Sequence, residues 1–201
     1  IVGAGNVGTA FAALLAPVLA QNFGWQTVYG IAALSVAIPA AVMVVFAKEP
    51  ADLSPHTTLR EHLSCLYERD GWAFSLIYAV TFGGFVGLSA FLPSYFYEQF
   101  GVSKVQAGQL TMLAAFLGAA LRVMGGWLSD LWGGVNTLTG VLVVTATCLL
   151  LCGFAQGSLP VTVLLFLVCF SALGAGNGAL FQLVPLRWPL TTAVAGSMIG
   201  E

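Results

Sequence analysis

The chain has 201 residues, 59% of them hydrophobic and 7% charged, with 6 Lys+Arg against 8 Asp+Glu and a mean hydropathy of +0.94. Soluble domains carry about 25% charged residues, which cover the face turned to water, so this composition excludes a soluble globule. It equally excludes a disordered chain, which needs low hydrophobicity and high net charge. A formal net charge of −2 leaves no basic face to replace phosphate counterions, so nucleic acid is not an expected partner.

The placement of the charges points to lipid as the solvent. No Asp, Glu, Lys or Arg occurs in residues 1–47 or 131–186. Crossing about 30 Å of hydrocarbon takes about 20 apolar residues of helix, so each block fits two spans joined by a turn. A β-barrel would alternate polar and apolar residues, whereas these runs are continuous. The fold class is all-α: a polytopic membrane helix bundle with six full transmembrane helices and a truncated seventh.

In chain order, the first helix runs to about Ala20, ahead of the polar turn Gln21-Asn22-Phe23-Gly24. The second covers about Trp25 to Phe46, with a kink expected at Pro39. The polar stretch 48–71 comes next, in which Leu59, Leu63, Leu66 and Tyr67 recur at the spacing of a short amphipathic interfacial helix. The third helix covers about Trp72 to Tyr97, the fourth Val105 to Leu128, the fifth Val135 to Phe154 and the sixth Val161 to Val184. A seventh starts near Leu190 and is cut off at Glu201. The chain begins at Ile1 and both ends fall in apolar segments, so a piece of a longer protein is expected. With 48–71 cytoplasmic, Lys48, Arg60, Arg69 and Arg187 lie inside and only Lys104 outside, as the positive-inside rule requires. Trp25, Tyr29, Trp72, Tyr95, Tyr97, Trp127, Trp132 and Trp188 fall near span ends and read as interfacial anchors.

The glycines suggest close helix packing. Gly83/Gly87, Gly174/Gly178 and Gly196/Gly200 are small-xxx-small pairs. Gly3-Ala4-Gly5-Asn6-Val7-Gly8 matches a dinucleotide-binding fingerprint in form. That reading needs a βαβ unit and an acid about 20 residues on. The first acid is Glu49, and the next element is a second hydrophobic span, so the reading fails. Gly-Ala-Gly-Asn recurs at Gly174-Ala175-Gly176-Asn177. An Asn in a span is either interhelical glue or a ligand contact, and composition alone does not choose.

Arg122 is the one charge that cannot be assigned to a loop or an end. It lies roughly 12 Å up its helix from Asp130, far for snorkelling. An intramembrane Arg is costly and marks a functional site unless it is snorkelled or structurally paired. The functional alternative is an anion site, since a planar guanidinium suits bidentate recognition of a small planar oxyanion. The cysteines (Cys65, Cys148, Cys152, Cys169) lack zinc spacing, and an i,i+4 disulfide between Cys148 and Cys152 has poor geometry. His56 and His62 lie in the polar stretch and read as solvated. No catalytic constellation, metal site or cofactor site is expected, and the chain reads as no enzyme.

Several segments resemble a known family. Gly126-Trp127-Leu128-Ser129-Asp130-Leu131-Trp132-Gly133 resembles the G-x-L-x-D-x-x-G loop motif of the major facilitator superfamily, without the basic residues usual after it (Leu131, Val135). Gly126, Asp130 and Gly133 would then be gating positions. A narrower resemblance is to the nitrate/nitrite porters. It is carried by Gly3-Ala4-Gly5-Asn6-Val7-Gly8 through Leu15-Ala16-Pro17, by Tyr78 to Gly83, by Arg122 with Gly125-Gly126, by Gly176 to Pro185, and by Gly196-Ser197-Met198-Ile199-Gly200. The resemblance implies a fragment covering helices 5 to 11. Residues 1–47 would end the N-terminal half-bundle, 48–71 would be the cytoplasmic inter-half loop, and 72–201 would form the C-terminal half.

It further implies nitrate and/or nitrite as substrates, held by Arg122 together with a second arginine outside this sequence. Asn6 would hydrogen-bond near the anion, Tyr78 and Phe82 would wall the pocket, and Gly5, Gly8 and Gly196 would allow close approach. Gly83, Gly87, Gly174, Asn177 and Gly178 are assigned to helix packing. The partners implied are the anion, a proton or counter-anion as coupling species (symport or antiport), and the bilayer of a bacterial inner membrane. Alternatives are a facilitator for an organic anion or drug, and a non-transporting membrane sensor.

Overall fold

The computed structural model describes residues 2–47, 68–154, 157–189 and 192–200, and the described residues fold into helices with no strand. They are α1 (Val2–Phe23), α2 (Trp25–Phe46), α3 (Arg69–Tyr78), a π-helical turn (Ala79–Gly83), α4 (Gly84–Phe100), α5 (Lys104–Trp132), α6 (Gly134–Phe154), α7 (Leu159–Arg187) and α8 (Thr192–Gly200). Among the described residues, five stretches are long and apolar enough to cross a membrane: α2, the continuous run Arg69–Phe100, α5, α6 and α7. In α1 the shorter stretch Gly8–Phe23 is apolar, and α8 has nine residues. The all-helical bundle is as expected, and five of the six full spans meet the length and hydropathy required. The amphipathic helix expected within 48–71, with Leu59, Leu63, Leu66 and Tyr67, lies outside the described residues, as do His56, His62 and Cys65.

Turn chemistry sets the helix boundaries. Gly101 ends α4 in the left-handed region at φ 64°, where a side chain would be strained. Ser103 then opens α5 with a capping box: its hydroxyl accepts from the Gln106 N–H, and its own N–H donates to Gln106 Oε1. A single residue, Gly133 at φ 84°, separates α5 from α6. The Thr137 hydroxyl donates to the Gly133 carbonyl at 3.0 Å and steadies that turn. The Gly126–Asp130 segment, expected as part of a loop motif, therefore lies within the last two turns of α5, and only Gly133 of the motif leaves the helix. The fourth helix also runs beyond the expected Leu128, to Trp132. Likewise α2 remains helical through Pro39.

The buried apolar residues form two separate clusters. One gathers Phe85, Leu92, Phe96, Phe166, Phe170 and Leu173 from α4 and α7, with smaller residues of α5 and α6. The other gathers Leu138, Leu180, Val184, Trp188, Ala195 and Ile199 where α7 meets α8. Between them lies a polar layer with Arg122, Asn177 and Thr81, each at most 7% exposed. α1 lies against α5, where a Cβ at Gly108 would strike the Ala13 carbonyl and Pro17. α2 contributes no buried residue and presents Leu34, Val36, Met43 and Val44 outward. That is a surface suited to lipid or to further helices.

At the end of the bundle where α3 begins and α7 stops, Arg187 pairs with Asp70 at 2.6 Å and Glu68 at 3.2 Å. The Trp188 indole N–H donates to Glu68 at 3.1 Å. Trp188, read as an interfacial anchor at a span end, is 7% exposed in the bundle and packs edge-on against Phe74. Its N–H finds a carboxylate there, which is what lets an indole be buried. The Arg187 pairs are about half exposed, so they contribute little and are weakened by salt. Arg187→Ala is expected to cost no more than about 1 kcal/mol, read as a small melting shift that vanishes in high salt. A large, salt-independent loss would mean these pairs hold the end of the bundle.

Candidate functional site

Arg122 sits on α5 about 15 Å from its end, and 7% of it is exposed. Its Nη2 donates to Asn177 Oδ1 on α7 at 3.1 Å. The guanidinium carbon stands 5.7 Å from the Phe181 ring centre, a cation–π contact. Nη1 is buried and finds no hydrogen-bond partner among the described residues. Nor does any described carboxylate pair with Arg122. The group thus retains its charge, one unused donor nitrogen and an aromatic backing.

The backbone makes this arrangement possible. α5 and α7 cross so closely that a Cβ at Gly174 would collide with the Gly118 carbonyl, at Gly125 with the Ala175 carbonyl, and at Gly178 with the Arg122 carbonyl. Asn177 is flanked by two tight positions, since a Cβ at Gly176 would come within 2.7 Å of Val141 and 3.0 Å of Thr81. Small residues here let a short amide reach a guanidinium on the facing helix.

Tyr78 and Phe82 lie at the π turn, stacked at 5.1 Å with 17° between their planes. Tyr78 meets Phe181 edge-on at 5.4 Å. A groove of about 430 Å³ opens beside them, lined by Ser75, Tyr78, Phe82, Gly83, Met198 and Gly200. Tyr78 and Phe181 connect this groove to the guanidinium.

The structure therefore brings Arg122, Tyr78 and Phe82 into one neighbourhood and adds Phe181 and Asn177. Phe181 escapes the sequence reading as a site residue, although its place four residues after Asn177 puts both on one face of α7. Gly5 and Asn6 fall in the first turns of α1, and their side-chain placement lies outside the described residues. Gly8, Gly83, Gly87 and Gly196 have nothing within 4 Å of a would-be Cβ among the described residues, whereas Gly84 approaches Leu173 at 3.6 Å. Gly174 and Gly178 stand at the α5–α7 crossing. Gly126 is near it: a Cβ there would lie 4.0 Å from the Gly178 carbonyl. Asp130, expected at a gating position, accepts a hydrogen bond from Gln182 Nε2 on α7.

Helices long and apolar enough to cross a membrane, with a charge buried between two that cross tightly, fit a polytopic membrane protein. The family model described as the Major Facilitator Superfamily matches residues 1–200, and the chain belongs to that superfamily. Among curated proteins it is 30% identical to the nitrite extrusion protein of Bacillus subtilis (strain 168), over 99% of this chain and 50% of that protein. It is 32% identical to the probable nitrate transporter NarT of Staphylococcus haemolyticus (strain JCSC1435), over 99% of this chain and 51% of that protein. To the probable nitrate/nitrite antiporter NarK1 of Thermus thermophilus it is 30% identical, over 100% of this chain and 52% of that protein. The chain spans about half the length of these relatives, and the resemblance to nitrate and nitrite porters extends over nearly all of it.

Proposed function

We propose that the full-length protein moves nitrate and/or nitrite across a bacterial inner membrane by alternating access, with Arg122 holding the anion. The observation that carries this reading is the buried, carboxylate-free Arg122 guanidinium with Nη1 unpaired among the described residues. A buried cation is tolerated when it is paired or bound to something that comes and goes. A planar monoanion supplies both the counter-charge and the missing acceptors. The aromatic rings of Tyr78, Phe82 and Phe181 favour a thin, weakly hydrated anion over a bulky one. The names of the relatives agree with a small inorganic anion, and one of them is called an antiporter.

In this reading residues 1–47 and 72–201 belong to opposite halves, and α1 against α5 is a seam between them. Asn6, Gly5 and Gly8 of α1 and Gly196 of α8 are assigned to the same site on the resemblance to the porters. The 48–71 stretch is cytoplasmic, in keeping with Arg187 lying beside Glu68 and Asp70 while Lys104 starts α5 at the other end. The halves rock about a site near the midplane. An empty site with an uncompensated cation resists closure, and a bound anion relieves it, so exchange is favoured over uniport.

The test uses the full-length protein in proteoliposomes loaded with nitrite. External nitrate is expected to enter by exchange, and chloride-loaded vesicles are expected to take up far less. Equal uptake into vesicles holding no exchangeable anion, with no proton gradient, would overturn the exchange mechanism. Absence of any nitrate or nitrite movement would overturn the substrate assignment.

A further inference from the structure

We propose that Asn177 tunes the charge of the anion site, fixing the Arg122 guanidinium with a neutral acceptor so that its full positive charge remains for the ligand. The inference rests on the anion-porter reading above and deepens it.

The usual way to hold a buried arginine is a carboxylate, which fixes it bidentately and cancels its charge. Here the described partner is an amide oxygen, Asn177 Oδ1 at 3.1 Å from Nη2. Asn177 is itself 2% exposed, and the glycines on either side of it stand at close helix contacts. The other constraint on Arg122 is also neutral, the face of Phe181 at 5.7 Å. Two uncharged contacts thus orient the guanidinium, and Nη1 is left buried and unpaired among the described residues. A structural pair would satisfy every donor and cancel the charge. This one uses a single donor and cancels nothing, the arrangement required of a group that must attract an anion and then release it.

Asn and Asp are nearly the same shape, so Asn177→Asp changes the charge and little else. The carboxylate would take Nη2 in a shorter, charge-assisted bond and neutralise the site. Asn177→Ala removes the acceptor but keeps the site cationic. The two variants should therefore rank in opposite orders by two measurements on the full-length protein. In detergent melts, Asp is expected at or above Ala. In nitrite-loaded proteoliposomes, Ala is expected to retain nitrate uptake with a raised KM. Asp is expected to raise KM further, by at least about tenfold over wild type, the scale of one charged hydrogen bond.

Transport that tracks stability, with Asp at least as active as Ala, would overturn the proposal. Failure of both variants to assemble would overturn it too, since Asn177 would then be a packing residue. If wild type moves neither nitrate nor nitrite, the anion-porter reading itself fails. If wild type transports and the variants do not cross in rank, only the role of Asn177 fails.

Discussion

Gly174→Ala and Gly178→Ala are each expected to lower the stability of the full-length protein by about 1–3 kcal/mol, while Gly140→Ala leaves it unchanged or slightly higher. The chemistry of the three substitutions is identical: one methyl replaces one hydrogen inside a helix. In an open helix the change is favourable by roughly 0.5–1 kcal/mol, because Ala loses less backbone freedom on folding. Gly140 has nothing within 4 Å among the described residues, so only this gain operates. At Gly174 the new Cβ would collide with the Gly118 carbonyl, and at Gly178 with the Arg122 carbonyl. These obstacles are backbone atoms, which cannot rotate away as a side-chain tip can, so α5 and α7 must separate. Separation at Gly178 also draws the Arg122 backbone away from Asn177, so transport should fall more steeply there than at Gly174. Melting temperatures in detergent and nitrate exchange in proteoliposomes read the two effects. If Gly174→Ala and Gly140→Ala melt alike, the close crossing of α5 and α7 does not exist in the folded protein.

The helical class is legible because each span must satisfy its own backbone in lipid and keep charges out, which leaves long uncharged runs in the sequence. Local breaks are less legible. The end of α5 illustrates this: the sequence reading ends the helix near Leu128, ahead of Asp130, yet the helix continues to Trp132 and Gly125 and Gly126 lie inside it. Close contact with α7, at Ala175 and Gly178, is what those glycines serve. The π turn at Ala79–Gly83 leaves no periodic signature in the sequence. Arg122 stands out as a charge inside a span, but its partner does not. Asn177 is 55 residues away, and only the register of two helices decides whether it acts as glue or as a contact of the arginine. Gly83 and Gly87 show the same limit. Their spacing resembles a packing pair, yet the approach to another helix occurs at Gly84, one residue away and so about 100° around the helix from Gly83.

Arg122→Met is expected to abolish nitrate exchange while lowering the melting temperature little or not at all. Holding a guanidinium in the bundle costs desolvation that one neutral hydrogen bond to Asn177 and one aromatic face return only in part. Replacing a buried charge with an apolar group of similar length removes that penalty, and such exchanges are often neutral or stabilising by about 1–4 kcal/mol. Against this stands the Asn177 oxygen, left without its donor at a cost of about 1–3 kcal/mol. The two terms nearly cancel, so stability should barely move while function is lost. Arg122→Lys provides the finer comparison. It keeps the charge, but an ammonium is a point donor without the fork that can meet Asn177 and the anion in one plane. Nitrate KM should rise about tenfold or more, the scale of one lost charge-assisted hydrogen bond. Addition of nitrate should raise the melting temperature of wild type, raise that of Arg122→Lys less, and leave that of Arg122→Met unmoved. A protein that unfolds without Arg122, or that transports nitrate normally with Lys or Met in its place, would make the residue a structural pair of Asn177. The cost of burying its charge would then have to be offset elsewhere in the fold.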